Sequence, residues 1–112
     1  MNFIFQGKKI LGILAIIPSN ERNFVDDMKG FNFSEARSLK LKEVMGYDRH
    51  RIAAEGTCAS DLAVFGLNYL FEKEIVQAEE LDALVLVTQS PDYFMPPTSN
   101  VIQGLLNLKY PP

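Results

Sequence analysis

Two stretches of the chain are apolar almost without interruption, Ile10 to Ile17 and Ala83 to Val87. Runs of this length predict strands covered on both faces, as in a parallel or mixed sheet flanked by helices. The first ends at Pro18 and the second at Thr88. The piece Asn2 to Phe5, set off by Gln6 and Gly7, either pairs back as a short hairpin or extends the first strand. Between the two runs the pattern turns helical. Ser34 followed by Glu35 predicts a helix start with an acid in its first turn, Leu41, Val44 and Met45 then share a face, and Gly46 is a natural stop. A second helix is predicted from about Thr57 to Ser60 through about Ile75. It has Leu62, Phe65, Tyr69 and Leu70 on one side, and Ala63, Val64, Leu67 and Phe71 over much of the rest. A helix apolar nearly all round packs on two sides, as between sheet layers. Thr98 or Ser99 is expected to cap a last helix through Leu108.

The predicted order is strand, helix, helix, strand, helix, an α/β pattern that suits a layered fold. With so few strands the sheet would keep open edges, and the apolar helix would lack its second layer. The fold is therefore expected to be incomplete without a carboxy-terminal continuation. If the chain folds by itself, it is expected to be an oligomer that covers those edges.

Composition narrows the functional classes. The 112 residues fit one domain at most, and 47% hydrophobic residues are enough to build a core. Acidic residues outnumber basic ones, 14 to 11, and the basic ones are scattered, which argues against a nucleic-acid binder. One cysteine and one histidine cannot supply a disulfide framework or a closed zinc site, so a reducing, cytoplasmic setting is expected. Lys8 and Lys9 before the run from Ile10 imitate a secretory signal. The run is too short to span a bilayer, and no small-x-small cleavage pattern follows it, so a buried strand explains it better than a signal or membrane segment. Gly7, Gly12 and Gly30 lack the spacing of a phosphate cradle, and no cofactor motif is present.

Each reactive residue has a plainer reading beside the chemical one. Cys58 lies near a predicted helix start, where the helix dipole favours a thiolate, and the string EGTCAS resembles a nucleophile turn. It follows a charged stretch rather than a buried strand and has no base nearby in sequence, so a small packing residue is the better reading. His50, between Arg49 and Arg51, reads as surface rather than as a general base, since no carboxylate or nucleophile is paired with it. Asp26 with Asp27, and Glu79 with Glu80, are sequence neighbours that point different ways on a helix, and read as solvated positions. Tyr93, Phe94 and Met95 sit in a loop, Gln89 to Pro97, that holds three prolines. Apolar side chains on a loop mark an interface or a ligand pocket, unless the loop folds onto its own domain.

Taken in order, these segments resemble the amino-terminal part of the β-ketoacyl-acyl-carrier-protein synthase III family, the thiolase-like condensing enzymes. The strand ending ILAIIPS is similar to a family strand that ends at a proline. In GYDRHRIA, Gly46, Arg51, Ile52 and Ala53 fall where the family shows a glycine, a basic residue, then isoleucine and alanine. The long helix ASDLAVFGLNYLFEKEIV follows, and then LDALVLVTQSPDYFMPPTSNVIQGLLNLK, which resembles the family's strand, loop and helix. The likeness runs from Lys9 over nearly the whole chain, and residues 1–112 read as the amino-terminal segment of one condensing-enzyme domain.

The resemblance implies a partial thiolase-like layered fold here and a five-layered, usually homodimeric enzyme in full. Such an enzyme condenses an acyl primer with malonyl carrier protein, so acyl carrier protein and an acyl thioester are the implied partners. The family's nucleophilic cysteine, and the histidine and asparagine that assist it, lie beyond the region matched. Cys58 and His50 are not their counterparts, and the segment alone is expected to be inactive. In the proline-bounded loop the family presents a phenylalanine before proline that reaches the partner subunit's acyl pocket. Met95 before Pro96 is the best match, with Phe94 one residue away, and these two are the implied substrate-binding residues. Members that use coenzyme A primers carry a tryptophan, and an arginine flanked by threonines, before the glycine matching Gly46. Here there is no tryptophan, and Val44 and Met45 stand at the arginine and threonine positions, which leaves open a primer delivered by a carrier protein or an unusual one. The alternative from another class is a non-catalytic dimerisation or interaction module that keeps this half-fold.

Overall fold

The computed structural model describes residues 4, 6–7, 9–46 and 48–109. Two short strands, β1 (Asn20–Asn23) and β2 (Arg49–Ile52), pair antiparallel, with Glu21 opposite Arg51 and Arg22 opposite His50. The helices are α1 (Phe24–Asp27), α2 (Glu35–Met45), α3 (Ala59–Glu72) and α4 (Thr98–Leu105). Short 3-10 turns follow at Met28–Gly30 and Ala78–Glu80.

The helices arise from local signals. At α2 the Ser34 hydroxyl accepts the Arg37 N–H at 3.4 Å, and Gly46 closes the helix in the left-handed region at φ +70°. That conformation costs glycine little and a side-chain-bearing residue more. At α1 the Asn23 side chain accepts the Asp26 N–H at 2.9 Å, although the helix is only one turn long. Phe24 is completely buried and meets the Phe31 ring edge-on at 5.8 Å, while its N–H donates to the Asp48 carbonyl. Thus a small core sits beneath the β1–β2 ribbon.

The second packing unit is α3 against α4. Ile102 of α4 is fully buried, and Gly66 of α3 is the buried point at which segment 10–17 crosses. A Cβ at Gly66 would collide with Ile16 Cδ1 and lie 3.5 Å from Leu14 Cδ2, so glycine's missing side chain lets that segment lie close on α3. Segment 81–84 faces α4 across a cavity of about 190 Å³ lined in part by Ser99, Asn100 and Gln103.

Three expectations are corrected. First, Ile10–Ile17 and Ala83–Val87 join no hydrogen-bonded sheet among the described residues, where the β1–β2 ribbon is the sheet present. A strand exists only through a neighbouring strand, and neither run lies beside one there. Their burial nonetheless alternates as in a strand. Ile16 is half-buried and Leu14, 39% exposed, reaches Gly66 with it, while Ile13 and Ile17 are 89% and 69% exposed and Ile10 and Leu11 are both exposed; Leu84 and Leu86 are half-buried while Val85 and Val87 are 83% and 92% exposed. Coverage is on one face, not two. Second, the cap of α4 is Pro97 rather than Thr98 or Ser99, because the Thr98 hydroxyl is turned back to the preceding loop. Third, α3 is not covered all round, since Phe65 and Tyr69 remain exposed. The possible pairing at Asn2 to Phe5 falls largely on positions outside the described residues.

Candidate functional site

The loop before α4 is pinned at its base and free at its tip. Ser60, in the first turn of α3, donates its N–H to Asp92 Oδ1 at 3.3 Å, and the Asp92 N–H donates to Thr98 Oγ1 at 3.0 Å. Ser60 and Thr98 are both nearly completely buried. Asp92 therefore ties the N-terminal ends of α3 and α4 to one point. Beyond it Tyr93, Phe94 and Met95 project outward, and Phe94 is wholly exposed. The Met95–Pro96 peptide is cis. The loop is thus presented to the surroundings rather than folded onto its own helices. Sequence reasoning singled out Phe94 and Met95 but missed Asp92, Ser60 and Thr98. The available signal was a short polar side chain on either side of a proline-bounded loop, a pattern that closes loops through side-chain bonds to backbone N–H groups.

The second polar centre is the β1–β2 ribbon. Glu21 lies between two guanidinium groups, 3.3 Å from Arg49 and 3.2 Å from Arg51. Arg51 also donates to the Ser19 carbonyl at 2.9 Å. On the other face Asp27 stands between Arg22 at 3.4 Å and His50 Nε2 at 3.6 Å. Asp27 is thereby largely enclosed, which corrects its reading as a solvated residue; the neighbouring Arg22 and His50 side chains cover it. Asp26 does face solvent, where hydrogen bonds from Lys29 and then Asn23 hold its carboxyl below the ordinary aspartate value. Asp48 is lowered likewise by its hydrogen bond from Lys42. Glu80 accepts the Gln77 N–H at 3.0 Å.

Cys58 is exposed at the start of α3, and its N–H donates to Asp61 Oδ2 at 2.8 Å. His50 is turned to Asp27 on a different element, so cysteine and histidine are not assembled as nucleophile and base. Among the described residues no group of three or more His, Cys, Asp or Glu side chains is placed to hold a metal ion. Among the described residues no helix is long and apolar enough to cross a membrane. The cavity beside α4 is smaller than the roughly 300 Å³ at which small-molecule pockets begin, whereas open grooves of about 370 Å³ beside Phe33, Arg37 and Leu41 and about 460 Å³ beside Glu21, Arg49 and Arg51 are larger.

No model of a known protein family matches the chain. Individual proteins do. A Campylobacter jejuni protein named 3-oxoacyl-[acyl-carrier-protein] synthase 3 is 37% identical over 105 residues, which is 93% of this chain and 30% of that protein. The β-ketoacyl-[acyl-carrier-protein] synthase III of Hyphomonas neptunium is 35% identical over 72 residues, 64% of this chain and 22% of its own length. The crystal structure of a 3-oxoacyl-(acyl-carrier protein) synthase from Burkholderia xenovorans LB400 superposes with a TM-score of 0.68 at 29% identity, covering 83% of this chain and 26% of that one. The chain is related to the amino-terminal portion of the β-ketoacyl-acyl-carrier-protein synthase III family. The synthase III of Thermus thermophilus, at 24% identity, shares the fold with a TM-score of 0.65 over 85% of this chain and 29% of its own. The architecture is accordingly α/β and a part of the thiolase-like layered fold of synthase III. The chain spans less than a third of the length of the synthase III relatives named here.

Proposed function

We propose that this chain is the amino-terminal scaffold of a decarboxylating condensing enzyme of the synthase III type, residues 1–112 forming one part of its domain. In the whole protein an acyl primer is carried on a cysteine, and malonyl carrier protein loses carbon dioxide as its carbanion attacks the acyl carbonyl. The cysteine, histidine and asparagine for these steps lie outside this chain. Phe94 and Met95 contribute a wall of an acyl pocket, reaching across to a second subunit of a cytoplasmic homodimer. Acyl carrier protein and an acyl thioester are the partners, and the product enters fatty-acid or related lipid synthesis.

The observation that carries this reading is the 105-residue likeness to the Campylobacter synthase. The outward presentation of Phe94 and Met95 supports their role. A chimera of this chain with the remaining part of the Campylobacter relative tests both. It is expected to condense acyl and malonyl thioesters, and Phe94→Ala or Met95→Ala should shift its preference among acyl chain lengths. An active chimera whose acyl preference ignores both substitutions overturns the wall assignment. An inactive but folded chimera overturns the enzyme reading.

A further inference from the structure

The two helices that meet the presented loop both begin without a strong cap of their own. α3 starts at Cys58, whose sulfur is a weak acceptor, and α4 starts at Pro97, with no side-chain hydrogen bond to its first turn. A helix start ordinarily satisfies its first N–H groups with a side chain from a neighbouring position. Here the Ser60 N–H, in the first turn of α3, is met by the Asp92 carboxylate, 32 positions further along the chain. An anionic acceptor at that point also complements the positive end of the helix dipole. Thr98, in the first turn of α4, turns its hydroxyl back to accept the Asp92 N–H. Both helix starts are therefore tied to one residue of the loop, and both ties are made at nearly completely buried partners.

The path from that residue to the tip is short and stiff. Asp92 and Thr98 bracket residues 93–97, and Pro91, Pro96 and Pro97 restrict φ at and beside that stretch. Phe94 is two residues beyond Asp92, so its Cα lies within about 7 Å of the pin even in a fully extended chain. A displacement of Asp92 is passed to Phe94 and Met95, with little chain between to absorb it. In a well-ordered site a misplacement of about 1 Å can cost on the order of a hundredfold in rate.

We infer that Asp92 is a positioning residue for acyl selectivity. By joining the starts of α3 and α4 it fixes how far Phe94 and Met95 reach, and so which length of acyl chain is accepted by the pocket they wall. The inference rests on the wall assignment proposed above. It adds a residue that acts through the loop tip and touches no substrate itself.

Two substitutions in the chimera with the Campylobacter relative test this. Asp92→Ala keeps the backbone N–H for Thr98 but removes the acceptor for Ser60, whereas Asp92→Asn keeps both, its amide oxygen standing in for Oδ1. Asp92→Ala should lower the ratio of kcat/KM between the preferred acyl thioester and a longer one by about tenfold, with kcat/KM for malonyl carrier protein unchanged. Asp92→Asn should restore the ratio. In the 112-residue chain, backbone order parameters at residues 93–95 should fall from about 0.85 to below about 0.6 in Asp92→Ala alone, while those of α3 and α4 hold. An active chimera whose acyl preference responds to Phe94→Ala but not to Asp92→Ala overturns the inference by itself. Equal loss of both kcat/KM values does so too, as does loosening of α3 and α4 together with the loop, since either marks a residue that only supports the fold. Order parameters at 93–95 that ignore Asp92→Ala also overturn it. A folded chimera that is inactive with Asp92 in place overturns the enzyme reading and the selectivity role together, and leaves only the anchor.

Discussion

Gly66 is where the apolar segment 10–17 meets the helical layer, and substitution there separates contact at that point from mere proximity. A Cβ at this position lies inside van der Waals contact of Ile16 Cδ1, but 3.4 Å from Ile16 Cγ1 and 3.5 Å from Leu14 Cδ2. The overlap in Gly66→Ala is thus with the end of a flexible side chain, and rotation of the Ile16 δ-methyl relieves it for about 0.5–1.5 kcal/mol. Alanine in place of glycine inside a helix returns about 1 kcal/mol. The two nearly cancel, so Gly66→Ala should lie within about 1 kcal/mol of the parent. Gly66→Val is different. Its branched Cβ is confined to one main rotamer in a helix, so its methyls meet Ile16 and Leu14 together and lift the segment. Burying a leucine or isoleucine fully is worth about 1.5–3 kcal/mol, and these two are partly buried, so losing both contacts costs about 2–3 kcal/mol. Valine's slightly better helix propensity than glycine's offsets little of this. Urea unfolding followed by circular dichroism should show a midpoint about 1 M lower for the valine variant at a typical m-value, and faster amide exchange at residues 14–16. Equal midpoints for the two variants, or a fall in Gly66→Ala as large as in Gly66→Val, would refute the packing described here.

Three other perturbations follow from particular contacts. Thr98→Val removes the acceptor of the Asp92 N–H at a nearly inaccessible site and should cost about 1–3 kcal/mol, with Thr98→Ser recovering most of it; equal stability of the three proteins in urea would contradict the loop anchor. Cys58→Ser puts a preferred cap at the start of α3 and should raise stability by about 0.5–1 kcal/mol while leaving condensation by the active chimera unchanged, and loss of turnover would reinstate Cys58 as a reacting group. Asp26 and Asp48 should titrate below the ordinary 3.8, because their partners Lys29 and Lys42 favour the carboxylate. A depressed folded-state value means that their contribution is present above the ordinary aspartate range and is lost as pH falls through the folded value. Carboxyl resonances should show this, with added salt moving both values upward; titration at or above 3.8 in low salt would count against the ion pairs.

The helices were legible because their signals are local. Ser34 and Gly46 bracket α2 from within a few residues, and the apolar content of α3 announces a packed helix whatever surrounds it. The β1–β2 ribbon was not legible, since its strands read NERN and RHRI, without apolar alternation. Its backbone ladder, and the exposed pairs of Glu21 with Arg49 and Arg51 that flank it, join residues roughly thirty positions apart, a relation that no window along the chain contains. The apolar runs were recognised as strand material, yet continuous apolarity suggested two covered faces where the structure covers one. Pattern reports what a side chain is suited to contact, not whether the contacting layer is there. The same limit applies to the loop: Phe94 and Met95 stood out by type, whereas Asp92 accepts the Ser60 N–H on its carboxylate and donates its own N–H to the Thr98 hydroxyl, links that leave only a faint mark in sequence.

The most direct test of the central claim is a single assay run on two proteins, the pure 112-residue chain and its chimera with the rest of the Campylobacter synthase, each given acyl thioester and malonyl carrier protein. The account predicts 3-oxoacyl product from the chimera and none above the blank from the chain. Sustained turnover by the chain alone would contradict it.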